Sequence, residues 1–361
     1  MIVWTVACSA VPASPPAPAP AAPPVATERP AAGIARKPAR HAAKWDDARC
    51  NDGTAFGYAI RPGSSTWVVN LEGGYFCDDD RVPCRERARR LTTTLAAPDG
   101  GPVRVGGGQG VLSPDPTVNP TFSDATWVEA HYCSSDLWLG DSTERRPTTG
   151  DPRGWYFSGR RNVEVLLESL REVDGLDETR PDVKILVVGS SAGALGVVGN
   201  FDQLVAAFPR AVAERRLAVV LDGGWVIPPP PGVVTPNAAK WGAPERGCAA
   251  AGDPRRCVYG PSWWPFVSAA GVRVLVQISG ADKSQIPNFG IDSPEELAEW
   301  RGRLRGSLES SRVPWVWSSA TSYHLVATEE RFGQGPPGRT FREVLDRFWA
   351  DAPPEQVFVD Y

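Results

Sequence analysis

Few residues in this 361-residue chain have the types and spacing for covalent chemistry. Gly189-Ser190-Ser191-Ala192-Gly193 fits G-x-S-x-G, with Ser191 at its centre. In that pattern a serine sits on a strained turn between strand and helix, and the glycines let the two elements approach closely. Such a serine can attack a carbonyl carbon only if a base takes its proton, because a free hydroxyl is barely ionised at neutral pH. The chain has three histidines, at positions 41, 131 and 324. The order expected for a serine on this kind of turn is Ser, acid, His, which selects His324. His41 lies in a Pro/Ala-rich segment, and His131, in "EAHYCSSD", reads as a structural residue. The acid should lie between them, just past a strand. Asp282 follows "VRVLVQISGA" and could fix the imidazole tautomer and stabilise its charged form. Asp222, after "LAVVL" and before two glycines, is the competitor and reads as a loop or pocket residue. Ser190 lies one position short of the motif and reads as a turn residue. In the plain alternative, Ser191 is a Gly/Ser turn, His324 a loop residue and Asp282 a turn residue.

An oxyanion needs backbone donors at close range. "LEGGYFC" supplies Gly73 and Gly74 after an early strand, and Ala192 follows the candidate nucleophile. Glu72 could hold this loop by hydrogen bonds; a tight turn is the alternative reading of the two glycines.

These residues need strands to carry them. "STWVVNLEGG", "TWVEAHYC", "VKILVVGSS", "LAVVLDGG" and "VRVLVQISG" read as strands, and "VPWVW" is strand-like. Val163, Leu166, Leu167 and Leu170 recur at helical spacing, and "GALGVVGNFDQLVAAF" reads as one helix after Ser191. Ser293, Pro294 and Glu296 form a capping box opening another helix, and "TFREVLDRFW" is the last. Apolar strands alternating with helices predict an α/β fold, a mostly parallel sheet covered on both faces.

Composition bounds the class. With 42% hydrophobic and 22% charged residues, the chain can bury a large core. The formal net charge is −4; residues 1–43 carry Arg29, Arg36, Lys37 and Arg40 against Glu28, a balance of +3, which leaves about −7 for the rest. No basic stripe interleaves with aromatics, so nucleic acid is not an expected partner. Seven cysteines occur, at 8, 50, 77, 84, 133, 248 and 257, with no CxxC, so no metal or other cofactor is expected. Setting Cys8 aside, six suit disulfides and an oxidising compartment; six reduced buried thiols are the alternative. "TVAC" before and including Cys8 has the form of a bacterial lipoprotein signal end, without a basic start and with a very short apolar stretch. Either Cys8 is lipidated, the start is misassigned, or the match is chance. The expected organisation is a signal-like, Pro/Ala-rich tether over 1–43 and a catalytic domain over 44–361. The expected location is secreted or on a bacterial cell surface, with a possible membrane tether through Cys8, and a monomer is expected.

Several segments together resemble the pectinacetylesterase/Notum family of α/β-hydrolase carboxylesterases. They are "CNDGTAFGY", "WVVNLEGGYFC", "HYCSSDLWLGD", "FSGRRNVEVLLESL", "VVGSSAGALG", "LDGGW", "VRVLVQISGADKSQI" and "ATSYH", in the family's order from residue 49 to about 324. The resemblance implies Ser191, Asp282 and His324 as a triad and Gly73, Gly74 or Tyr75, and Ala192 as oxyanion donors. It also implies a Cys77–Cys84 disulfide, with Cys50–Cys133 and Cys248–Cys257 as further pairs. Two departures stand out. Tyr75 and Phe76 occupy a place where the family usually has tryptophan, and Ala194 replaces a common glycine. Both bear on the pocket, for which Phe76, Trp225 and Gln285 are candidates, with the "IPPPPG" stretch beside Trp225.

The leading expectation is a serine carboxylesterase working through an acyl-enzyme on an acylated carbohydrate or other ester, with acetyl on a polysaccharide favoured. The alternatives are a deacylase of longer acyl esters on lipid or protein, and a non-catalytic carbohydrate-binding or adhesion module on a hydrolase fold.

Overall fold

The computed structural model describes residues 39–42, 47–87, 108–228, 236–243 and 258–359. Cys8, Cys248, Cys257, most of the segment over 1–43 and most of the "IPPPPG" stretch lie outside them.

The strands are β1 (Ala39–Ala42), β2 (Gly57–Arg61), β3 (Ser64–Leu71), β4 (Ala125–Ala130), β5 (Arg146–Thr148), β6 (Asp151–Trp155), β7 (Lys184–Ser190), β8 (Leu217–Asp222), β9 (Arg273–Ser279), β10 (Trp315–Ser319) and β11 (Gln356–Val359). The helices are α1 (Gly159–Glu172), α2 (Ala192–Gly199), α3 (Phe201–Ala207), α4 (Pro209–Ala213), α5 (Gly260–Ala269), α6 (Pro294–Ser310) and α7 (Phe341–Trp349). Nine strands form one sheet in the order β1-β2-β4-β3-β7-β8-β9-β10-β11. The β1/β2 and β2/β4 pairs are antiparallel; every other neighbouring pair is parallel. This is the expected mostly parallel sheet of an α/β-hydrolase. It takes up Ala39–Ala42, upstream of the expected domain start near Lys44.

Both faces of the central strands are buried, so their sequences are mostly apolar, with Asn70, Asp222 and Gln277 as buried polar exceptions toward their C-terminal ends. In β7, Ile185 and Val187 enter one core while Leu186 and Val188 enter the other. Buried residues of α1 to α6 belong to the first core, whereas Phe341, Val344, Leu345 and Phe348 of α7 belong to the second. The α6 capping box forms as expected, with the Glu296 N–H donating to Ser293 Oγ at 3.2 Å. One expectation needs correcting. The single helix after Ser191 is broken at Asn200 into α2 and α3. The Asn200 side-chain NH2 donates to the carbonyls of Gly196 and Trp138, both at 2.8 Å, and so ties α2 to the loop after β4.

Cys50–Cys133 and Cys77–Cys84 are disulfide-bonded. The first spans 83 residues of sequence and the second 7. Cross-linking restricts the unfolded chain more for longer loops, by about 4–5 kcal/mol for the first and about 2–3 kcal/mol for the second. Replacing both cysteines of each pair by serine should therefore lower the urea midpoint more for Cys50/Cys133. A larger loss for Cys77/Cys84 would overturn that ranking.

Candidate functional site

Strand register brings the candidate residues to one sheet edge. Leu71 pairs with Gly189, Ser190 with Asp222, and Asp222 with Gln277, so the loops after β3, β7, β8 and β9 leave the sheet side by side. Ser191 follows β7 and precedes α2 at φ 56° and ψ −116°, a backbone conformation that costs a non-glycine residue energy. A Cβ on Gly189 would lie 2.5 Å from the Gly193 carbonyl oxygen, and one on Gly193 would strike the Leu71 carbonyl. Glycine is thus demanded at both flanks by close packing of strand against helix. The Ser191 N–H donates to the Asp222 carbonyl at 2.7 Å, which holds the turn.

Ser191 Oγ lies 2.7 Å from His324 Nε2. His324 Nδ1 in turn lies 2.9 and 2.8 Å from Asp282 Oδ1 and Oδ2. With the carboxylate accepting from Nδ1–H, Nε2 is left to accept from the serine hydroxyl. Asp282 is fully buried and is held from its own turn, where the Ser284 N–H donates to Oδ1 at 2.8 Å. The structure therefore brings together three side chains separated by as many as 133 residues.

The Gly73–Gly74 loop lies directly over the serine turn. A Cβ on Gly73 would come within 2.6 Å of the Ser190 carbonyl oxygen and 2.9 Å of Ser191 Cβ. One on Gly74 would come within 2.5 Å of the Tyr132 ring. Tyr75 continues the loop in the left-handed region at φ 67°. Residues after β4 hold this loop. The Glu72 carboxylate accepts the Tyr132 N–H at 3.0 Å and meets His131 Nδ1 at 2.9 Å, while Trp138 Nε1–H donates to the Glu72 carbonyl at 3.0 Å. The Tyr132 hydroxyl donates to the Tyr75 carbonyl at 2.7 Å. Glu72 and His131 thus have the structural parts expected of them. The contribution of Tyr132 and Trp138 had no signal in spacing or periodicity. Asp136, buried in the same motif, accepts from Ser134 Oγ and from the N–H groups of Trp138 and Gly159, and burial pushes its carboxyl up to about 7.

Asp222 does not take the acid position beside Nδ1, which Asp282 occupies. It is fully buried, and its carboxylate accepts the N–H groups of Val326 and Ala327, on the loop that carries His324. Burial pushes this acid up to about 7, against the opposing effect of those two donors.

A cavity opens over Ser191 and His324, walled mainly by apolar side chains, among them Phe76, Leu137, Leu195, Val226, Val258 and Phe289. Tyr75, Arg81 and Gln285 also line it. Trp225 does not. It is fully buried, its ring centroid 5.1 Å from that of Trp263, and its indole N–H reaches Ser307 Oγ. The expected pocket role of Trp225 is replaced by a core role, because α5 brings two further tryptophans onto its ring. Ala194 is likewise buried against Gly224 and away from the cavity wall.

The geometry has counterparts among known proteins. A family model described as Pectinacetylesterase matches residues 39–240, more than half of the chain. The chain is 33% identical over 284 residues to the palmitoleoyl-protein carboxylesterase NOTUM of Drosophila melanogaster, an alignment covering 72% of this chain and 41% of that relative. It is 31% identical over 311 residues to notum1a of Danio rerio, another palmitoleoyl-protein carboxylesterase, covering 77% of this chain and 58% of the relative. The chain thus matches less than two thirds of the length of either. Among solved structures, the Wnt deacylase Notum from Drosophila superposes with a TM-score of 0.71 at 29% identity, covering 86% of this chain and 93% of that one. With the family model spanning most of the sheet and the serine turn, the chain belongs to the pectinacetylesterase family.

Proposed function

We propose that this protein is a serine carboxylesterase whose substrate carries an apolar acyl chain longer than acetyl. Ser191 Oγ attacks the ester carbonyl carbon as His324 Nε2 takes its proton, and Asp282 stabilises the imidazolium. The oxyanion receives N–H groups from the Gly73–Tyr75 loop and Ala192. The tetrahedral adduct collapses to an acyl-serine, His324 protonates the departing alcohol, and a water activated by the same imidazole hydrolyses the acyl-enzyme. The observation carrying this reading is the continuous Ser191–His324–Asp282 hydrogen-bonded chain opening onto an apolar wall. A binding-only module has no need of such alignment.

Acyl length follows from the wall. An acetyl group offers one methyl, whereas Phe76, Leu137, Leu195, Val226, Val258 and Phe289 present enough apolar surface to reward further methylenes, each worth about 0.8 kcal/mol when buried. The palmitoleoyl-protein carboxylesterase relatives support the same direction. A second reading, acetyl removal from a polysaccharide, is favoured by the family model's description. Secretion is part of the proposal and rests on the two disulfides, which persist in oxidising compartments. Among the described residues, no helix is long and apolar enough to cross a membrane.

A series of p-nitrophenyl esters from two to sixteen carbons tests both readings. The expected result is kcat/KM rising from acetyl to a maximum at eight carbons or more. A maximum at acetyl would favour the polysaccharide reading, and equal rates for wild type and Ser191→Ala would remove the esterase altogether.

A further inference from the structure

We propose that Asp222 is a positioning residue whose carboxylate clamps the loop carrying His324, so that the imidazole stays in line with Ser191. The inference rests on the esterase reading above and adds to it a second acid with a separate task. Asp222 ends β8, beside the serine turn, and engages both partners of the proton transfer. Its carbonyl accepts the Ser191 N–H at 2.7 Å. Its carboxylate accepts the Val326 N–H at 3.1 Å and the Ala327 N–H at 2.9 Å, two and three residues beyond the imidazole. The next residue completes the seat. Gly223 adopts φ 70°, and a Cβ there would lie 2.8 Å from the His324 carbonyl oxygen and 3.3 Å from Nδ1, so the main chain passes directly beneath the ring.

The division of labour is geometric. Asp282 bonds the ring and sets its tautomer and tilt. The segment before His324 is held by main-chain bonds from the β9 loop, Ala281 N–H to Thr321 O at 3.1 Å and Lys283 N–H to Ser322 O at 3.2 Å. After His324, Asp222 supplies the side-chain anchor. This acid is fully buried and pairs with no lysine or arginine among the described residues. A buried carboxylate without a counterion is costly, and aliphatic packing would fill its place at lower cost. Two consecutive N–H groups offset that cost: the Val326 N–H lies 3.1 and 3.2 Å from Oδ1 and Oδ2, and the Ala327 N–H 2.9 Å from Oδ2.

Protonation should release the clamp. A neutral carboxyl accepts more weakly than a carboxylate, so both N–H bonds loosen even where the proton sits on Oδ1 and Oδ2 still faces both donors. The charged and titratable groups acting on Asp222 are His324, which favours the carboxylate, and Glu329, on the clamped loop itself, which opposes it. The serine turn bonds the Asp222 main-chain carbonyl through the Ser191 N–H, and the neutral Gln277 of β9 accepts the neighbouring Gly223 N–H, so neither brings a charge. Burial raises this acid from its ordinary 3.8 to about 7, so the folded protein holds the proton more tightly than the unfolded chain. The stability it contributes is complete below about pH 4 and lost as pH rises through about 7, while activity should rise over that same interval.

The test uses the full chain and its Asp222→Asn variant, assayed with the best p-nitrophenyl ester. Asparagine keeps the shape but places an amide NH2 against one N–H. We expect kcat to fall about tenfold to a hundredfold with KM within about threefold, as for an imidazole displaced by a fraction of an ångström. Because burial raises the Asp222 carboxyl to about 7, the ratio of wild-type to variant kcat/KM should grow as pH rises through about 7. A merely structural carboxylate would leave that ratio independent of pH. If the variant fails to fold, the wild-type amide proton shifts of Val326 and Ala327 decide alone, and shifts that stay constant as pH passes through about 7 overturn the proposal. A second readout is the downfield proton NMR signal of His324 Nδ1–H at pH 8, expected sharp in wild type and broadened in the variant. Identical signals in both overturn the clamp. That readout also stands if wild type shows no Ser191-dependent turnover, in which case the esterase reading fails separately.

Discussion

Ser191→Ala should lower kcat by at least about a thousandfold, and His324→Ala by a similar factor. The side chains are 2.7 Å apart and form one proton-transfer unit, so the double variant should be hardly worse than either single one. Alanine at 191 loses the attacking oxygen and leaves the fold almost untouched. The turn keeps its N–H bond to Asp222, and the left-handed backbone at φ 56° costs alanine about as much as serine. The decisive measurement is pre-steady-state. Wild type should release a burst of p-nitrophenol equal to the enzyme concentration as the acyl-serine forms, and neither variant should. A burst retained by Ser191→Ala would move the nucleophile elsewhere, with Ser190 the first alternative.

The second large effect is expected from Asp282→Asn, a loss of about ten-thousandfold in kcat with KM little changed, as in other serine triads. Asparagine fits the same space and keeps an oxygen for the Ser284 N–H. Its NH2 group, however, turns toward Nδ1, where Asp282 now accepts at 2.8 and 2.9 Å. The imidazole must then carry its proton on Nε2, pointing at the serine hydroxyl, and it ceases to be a base. This result also separates the two buried acids. Asp222 touches the loop and Asp282 touches the ring, so Asp282→Asn should exceed Asp222→Asn by at least about tenfold. The reverse order would exchange their roles.

The local features of the site were readable because they are steric or combinatorial. A continuous apolar run followed by Gly-x-Ser-x-Gly marks a strand, a strained turn and a helix wherever it occurs. Chain order and three histidines favoured His324, and the ends of two apolar strands offered Asp282 and Asp222 as competing acids. Ser293 and Glu296 announced their helix start because a capping box is a four-residue interaction. Elements with mixed signals escaped. Helix α5 carries Pro261 at its start and Pro265 inside, and its tryptophans pack on Trp225, which therefore looked available for a pocket. The break at Asn200 depends on the Trp138 carbonyl, 62 residues away in sequence.

By itself the sequence determined the parallel α/β architecture and offered Ser191 and His324 as candidates, with Asp282 and Asp222 competing as the acid, because strand periodicity, turn sterics and residue order are properties of short segments. Only the tertiary structure decided that Asp222 clamps the His324 loop, that Tyr132 and Trp138 brace Glu72 and Tyr75, and that the cavity wall is apolar. Those contacts depend on which strands lie side by side and in what register. That ordering is a property of the whole packed sheet, set by the simultaneous burial of both its faces.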